Sequence, residues 1–145
     1  ALMGDDTDSH IDTLARIAPD NTILYVACDD ITDPHYNELS MMKRQLTEFT
    51  NADGESFQLI PLPLPSPIYD EDGMRLPATY ANYLITPHSV IMPIYGQPDN
   101  DSKAMEQIAL AFPDRKIRRV DCRTLIKQHG SLHCATMQTS NSVLK

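Results

Sequence analysis

Cysteine, histidine and carboxylate can supply a nucleophile, a proton carrier and a charge that binds cations, and this sequence gathers them in two short stretches. In "QHGSLHCATMQ", residues 128–138, Cys134 follows a segment holding Gly130, with His129 and His133 close by. In "GDDTDSHID", residues 4–12, four acids and one histidine fall within nine residues, and one position separates His10 from Asp12. On a strand, residues i and i+2 face the same side. That spacing would aim one imidazole and one carboxylate at the same space. The plainer alternative is a solvated acidic loop running into a strand, its histidine incidental.

Cys134 itself has four readings. Zinc asks for a set such as two close cysteines with paired histidines, and Cys122 is the only other thiol nearby. On a strand the adjacent His133 and Cys134 would also point to opposite faces. A disulfide framework would show an even and denser set than Cys28, Cys122 and Cys134. Those three are read as reduced thiols in a cytosolic (cytoplasmic) protein. An inert core cysteine is common, whereas a cysteine with a distant histidine and a carboxylate is the constellation of a thiolate nucleophile. A third candidate is Asn82 in "TYAN". An amide inside an apolar strand needs hydrogen-bond partners, which a neighbouring turn or a ligand could supply.

These groups must be positioned by a scaffold of one ordinary domain. A chain of 145 residues buries roughly 70% of its unfolded surface. Twelve basic against twenty acidic residues leave a net charge of −8, which disfavours nucleic acid as a partner and suits a small cationic substrate or plain solubility. No apolar run approaches the ~18 residues of a membrane span, and no signal-peptide pattern opens the chain. The expectation is no membrane partner.

The scaffold reads as a repeat. "HIDTLARI" is expected to be extended, "PDN" a turn and "TILYVAC" a strand. Asp33 then reads as a helix cap and Pro34 as a first helical residue, with Tyr36, Leu39, Met42, Leu46 and Phe49 on one helix face. "SFQLIPLPL" resumes an extended chain. In the second pass, "TYANYLI" is expected as a strand, "TPH" as a turn, "SVIMPIY" as a strand, Asp101–Phe112 as a helix and "KIRRVDC" as a strand. Strand, strand, helix, strand occurs twice, with Ile23-Leu24 aligned on Val90-Ile91 at an offset of 67. The units span about residues 10–62 and 78–121, and the nucleophile loop 128–138 follows. Between them "PLPLPSPIYDEDGMRLP" is a proline-rich connection, either a surface loop or the rim of a site. Two units are too few to close an array, so the chain reads as part of a larger one.

"GDDTDSHIDTLAR", "DEDGMRLPATYANYLI" and "QHGSLHCATMQ", taken together and in order, resemble the agmatine deiminase family, which is grouped with the bacterial-type peptidylarginine deiminases. The resemblance implies an α/β pentein fold, a five-bladed propeller of ββαβ units, with about two blades in this chain. It also implies hydrolysis of agmatine to N-carbamoylputrescine and ammonia through a cysteine thiouronium, with no metal and no cofactor. By position, Cys134 matches the nucleophile, His10 the general acid and base, and Asp12 a carboxylate holding the guanidinium. Asn82 and Gly130 fall on segments lining the pocket, and Asp6 falls where an acid can face the far amine of agmatine. Ser9 stands where relatives usually have glycine, and "TPHSV" replaces an Asn-Gly type of turn. The resemblance further implies an N-terminal half beyond these residues, which would supply another carboxylate for the guanidinium and an acid for the histidine. A homo-oligomer is compatible with it. The alternatives are a related hydrolase of peptidyl-arginine or free arginine, and a repeat module without catalysis.

Overall fold

The β-branched run from Thr22 to Ala27 becomes the middle strand of a sheet, and five of its six residues are buried. A strand covered on both faces needs such a continuous apolar run. The computed structural model, which describes residues 1–5 and 10–138, builds two sheets around strands of this kind. The first holds β1 (Ala15–Ala18), β2 (Thr22–Ala27) and β3 (Gln58–Pro63), with β1 antiparallel and β3 parallel to β2. Helix α1 (Tyr36–Glu48) makes the crossover between β2 and β3. The second repeats the arrangement with β4 (Leu84–Ile85), β5 (Ser89–Ile94), α2 (Pro98–Ala111) and β6 (Lys116–Asp121). The offset of 67 holds at both ends of the central strands, from 22 to 89 and from 27 to 94.

Local chemistry explains where the elements turn. Asp20 and Asn21 take the left-handed conformation, each at φ 55°, a region that short polar side chains tolerate, and they close the β1–β2 hairpin. Pro61 and Pro63 lie in β3, an outer strand where a missing N–H is tolerated. The carbonyl of Pro61 accepts a bond from Gln107 Nε2 of α2 at 3.0 Å. The helix of the second unit thereby lies on the edge strand of the first. One core runs through both units, from Leu24, Val26 and Leu62 to Val90, Met92 and Ile108.

Several expected boundaries move. Helix α1 starts at Tyr36 with His35 at its cap position, rather than at Pro34. Asp33 still accepts the His35 backbone N–H at 2.9 Å, but its carboxylate also serves Arg75. Helix α2 starts at Pro98, three residues before Asp101, with proline in the first turn. Phe49 ends α1 exposed instead of on its buried face. "HIDTLARI" is extended only from Ala15; Ile11–Thr13 forms a 3-10 turn in which the Thr13 hydroxyl donates to the His10 carbonyl at 3.1 Å. "TYANYLI" is strand only at Leu84–Ile85, and residues 79–83 are buried irregular chain.

A buried polar cluster ties the proline-rich connection to the first unit. Arg75 grips Asp33 with two N–H groups, at 3.1 and 2.9 Å, and both side chains are under 10% exposed. His35 Nε2 accepts the Met3 backbone N–H, so its proton sits on Nδ1, which donates to Asp33 at 2.9 Å. Gly4 follows at φ 81°, and a Cβ there would overlap the Arg75 carbonyl oxygen, so glycine alone fits.

Burial pushes the Asp33 carboxyl up, but the bonds from Arg75 and His35 outweigh it and hold the carboxyl at about 2. The ionised form is therefore favoured in the folded chain. Its contribution is complete above the unfolded aspartate range near pH ~4 and disappears as pH falls through about 2. Arg75→Leu should destabilise the chain by about 3–5 kcal/mol, since it strands a buried carboxylate. Urea denaturation from pH 7 down to pH ~2 checks this, with the stability lost below pH ~4 shrinking in the variant.

Candidate active site

The site grows out of two short turns that the second unit holds together. The first is Ile11–Thr13, which carries Asp12; the second is His133–Ala135, a 3-10 turn that carries Cys134. Asn82, fully buried, lies between them. Its Nδ2 donates to Asp12 Oδ2 at 3.0 Å and approaches the Asp12 carbonyl at 3.4 Å. Its Oδ1 accepts the backbone N–H groups of His133 and Cys134 at 2.8 and 3.2 Å. Every polar atom of the amide is thus used within the chain, and the neighbouring turn is what satisfies it.

The Asp12 carboxylate is held unevenly. Oδ2 accepts both Asn82 Nδ2 and His133 Nδ1, the latter at 2.8 Å. Oδ1 is buried and accepts no hydrogen bond among the described residues. A buried carboxylate oxygen without a donor is costly. It is also the acceptor that a cationic N–H donor would fill with a charge-assisted bond.

A second polar chain fixes the entry to the cysteine turn. The Tyr95 hydroxyl donates to the Thr79 carbonyl at 2.8 Å and accepts the Thr79 N–H at 3.0 Å. It therefore accepts the hydroxyl of Ser131 at 2.8 Å. The Thr79 hydroxyl in turn donates to the Thr13 carbonyl at 2.7 Å, next to Asp12. Gly130 is buried beside Ser131. His129 takes the left-handed conformation at φ 65°, and its Nδ1 lies 3.2 Å from the Gly4 carbonyl. From the other side, Arg16 of β1 donates to the Ala81 and Tyr83 carbonyls at 3.2 and 2.8 Å and lies over the Tyr83 ring.

The expected site residues fare differently. Asp12, Asn82 and Cys134 are brought together. His10 is exposed, and no hydrogen bond or ion pair joins it to them among the described residues. The same-side spacing expected for His10 and Asp12 does not apply, because this stretch is a 3-10 turn and not a strand. Asp6 and Ser9 lie outside the described residues. His133, placed on the opposite face from Cys134 by a strand reading, instead sits in the turn with it and reaches Asp12. His133, Arg16, Tyr95 and Ser131 are contributors that sequence reasoning passed over. The only signal for His133 was its direct attachment to Cys134.

The three cysteines are free thiols in different settings. Burial, with Asp121 adding to it, pushes the Cys122 thiol up to about 11. Cys28 is also raised, chiefly by burial and then by the acids Asp33, Asp30 and Asp29, against a lowering backbone hydrogen bond at Asp30. Cys134 is half-exposed on its turn.

The chain matches the family described as Porphyromonas-type peptidyl-arginine deiminase over residues 1–139. It is 48% identical to a provisionally assigned arginine deiminase from Porphyromonas gingivalis, at a TM-score of 0.92, over 97% of this chain and 41% of that one. A substrate-bound cysteine-to-serine variant of C. jejuni agmatine deiminase is 43% identical, at a TM-score of 0.82, over 92% of this chain and 38% of its own. A Marinomonas sp. protein provisionally named an agmatine deiminase is 31% identical over 94% of this chain and 41% of its own length. The chain therefore spans about two fifths of the length of these relatives.

Asn82→Leu should leave the Cys134 N–H without its partner, reduce the His133 N–H to its 3.2 Å bond with the residue-82 carbonyl, and take one of two donors from Asp12 Oδ2. Each orphaned buried group costs about 1–3 kcal/mol. The expected result is faster amide exchange at His133 and Cys134, out of proportion to the amides of β2 and β5. Unchanged protection at those two amides would show that Asn82 does not hold the turn.

Proposed function

Because this chain belongs to the Porphyromonas-type peptidyl-arginine deiminase family, we propose that it carries the nucleophile-bearing portion of an enzyme that hydrolyses agmatine to N-carbamoylputrescine and ammonia. The observation that carries this reading is the Asp12 carboxylate, one oxygen bound and the other buried without a donor among the described residues, held by the same amide that holds the Cys134 turn. Cys134 is the proposed nucleophile, His10 the proposed acid and base, and Asp12 the proposed guanidinium ligand. Asn82 and Gly130 act in the proposal through the turns they support.

A guanidinium carbon is a poor electrophile because its charge is spread over three nitrogens. Asp12 binds the planar cation through charge-assisted hydrogen bonds and fixes its plane. The Cys134 thiolate adds to the carbon, favoured over the thiol by the nearby substrate cation. His10 gives a proton to one nitrogen, the C–N bond breaks, and ammonia departs. The thiouronium that remains is attacked by water, whose proton His10 takes. The C–S bond then breaks as the remaining hydroxyl proton passes to solvent, where ammonia can take it up, releasing N-carbamoylputrescine and the free thiolate. One water is consumed and one ammonia released, with no oxidant or reductant.

The proposal extends to the rest of the enzyme. The strand, strand, helix, strand units at about 10–62 and 78–121 are proposed as two blades of a five-bladed pentein propeller. An N-terminal half is proposed to supply the remaining blades and further acids for the guanidinium and the histidine. In the first unit β3 is covered by α2, whereas β6 is largely exposed, a seat of the right kind for the helix of a further unit. Cytoplasmic placement rests on the three free thiols. The family description favours a second reading, in which the substrate is peptidyl-arginine. Ammonia release by the full-length enzyme from agmatine, free arginine and a blocked arginine peptide separates the readings. No release from agmatine overturns the first.

In the full-length enzyme, Cys134→Ser should abolish turnover while retaining agmatine binding by calorimetry, because serine is a far weaker nucleophile of similar size. Substitution of Cys28 or Cys122 should cost much less. Activity near wild type in Cys134→Ser would remove the covalent mechanism.

Asp12→Asn should weaken both binding and rate, because the charge it removes pairs with the guanidinium in ground and transition states. Breaking one side of a buried charge pair costs about 3–5 kcal/mol, or a fall in kcat/KM of roughly a hundredfold or more. An unchanged kcat/KM would place the guanidinium elsewhere.

A further inference from the structure

The contacts of Asp12 point to a role for a residue outside the proposed chemistry. We propose that His133, with a proton on Nδ1, is the positioning residue of the guanidinium-binding carboxylate. This rests on the reading of Asp12 as the substrate ligand.

A carboxylate oxygen only accepts hydrogen bonds, so the 2.8 Å contact between Asp12 Oδ2 and His133 Nδ1 requires the proton on Nδ1. The imidazole is 40% exposed, and its Nε2 has no hydrogen-bond partner among the described residues. Asn82 supplies the second donor to the same Oδ2, at 3.0 Å. The His133 backbone N–H returns to Asn82 Oδ1 at 2.8 Å. Asp12, His133 and Asn82 thus form a closed ring of three hydrogen bonds.

The consequence falls on the other oxygen. With Oδ2 held by two donors from two directions, rotation of the carboxylate about its Cβ–Cγ bond is blocked. Oδ1 then stays in its buried position, without a donor among the described residues and ready for a substrate N–H. Without His133, Asn82 alone would hold the carboxylate, and water or rotation could satisfy Oδ1 before substrate arrives. Pre-organisation of this kind acts on binding more than on the chemical step. His133 also belongs to the turn that carries Cys134, so the donor to the carboxylate and the proposed nucleophile share one short segment.

The test uses the full-length enzyme, with agmatine as substrate. His133→Leu keeps bulk and removes the donor, and should raise KM about tenfold, the usual worth of a hydrogen bond to a charged group, with a smaller change in kcat. His133→Asn places an amide N–H near the former Nδ1 and should recover at least half of that loss on a logarithmic scale. In the Asp12→Asn background, His133→Leu should add less than about a twofold effect, because coupled residues are not additive. A fall in kcat at unchanged KM would overturn the proposal, as would a His133→Asn variant as impaired as His133→Leu, or full additivity with Asp12→Asn. An independent reading needs no turnover. Nitrogen-15 shifts of the His133 ring should show a proton on Nδ1 in the wild-type protein, and the Nε2–H tautomer would overturn the proposal. Failure of the wild-type enzyme to hydrolyse agmatine would count against the proposed function, and the tautomer would still decide this one.

Discussion

A buried side-chain amide must find partners for two donors and one oxygen, and Asn82 finds all of them in two turns far apart in sequence. It binds Asp12 on one side and the N–H groups of His133 and Cys134 on the other. Leaving any of these groups without a partner costs about 1–3 kcal/mol, comparable to a sizeable part of a small domain's net stability. The amide is therefore more than a contact. It fixes the distance between a carboxylate and a thiol that the chain separates by more than a hundred residues.

That constraint can operate because Asn82 is itself held on all sides. It sits in irregular chain immediately before β4, packed among Tyr80, Ala81 and Tyr83, all fully buried. The Arg16 guanidinium grips the Ala81 and Tyr83 carbonyls on either side of it. Tyr80 donates to the buried Asp101 at 2.6 Å, and Asp101 also accepts the Tyr95 N–H. Tyr95 then reaches Thr79 and Ser131. Irregular chain that is buried needs such side-chain partners in place of a ladder, and here those partners lead directly to the site.

Charge is arranged to the same end. The chain is acidic overall, at −8, which lowers the electrostatic cost of approach for a cation. Not all of its carboxylates are open to a ligand: Asp33 is neutralised by Arg75, and Asp101 is occupied by N–H and O–H donors. Asp12 differs in that one buried oxygen has no donor among the described residues. The thiols divide similarly, with Cys28 and Cys122 raised by burial and Cys134 standing half-exposed on a turn.

Much of the scaffold was legible in the residues. The runs "TILYVA" and "SVIMPI" are apolar and β-branched, and each lies between a turn signal and a helix pattern, so both central strands and their offset of 67 could be read directly. Proximity in the site was not legible in the same way. Period-2 reasoning set His10 beside Asp12 and sent His133 away from Cys134, but both stretches are 3-10 turns, where strand alternation does not hold. The turn at Ile11–Thr13 comes from a hydroxyl bonding back three residues, a local competition that apolar periodicity does not register. The sequence by itself determined which residue types were available and which segments would be buried, because those follow from composition and period. Only the tertiary structure decided that Asn82 joins Asp12 to His133 and Cys134. Hydrogen bonds across 50 to 120 residues depend on how two sheets pack, and no local pattern encodes that.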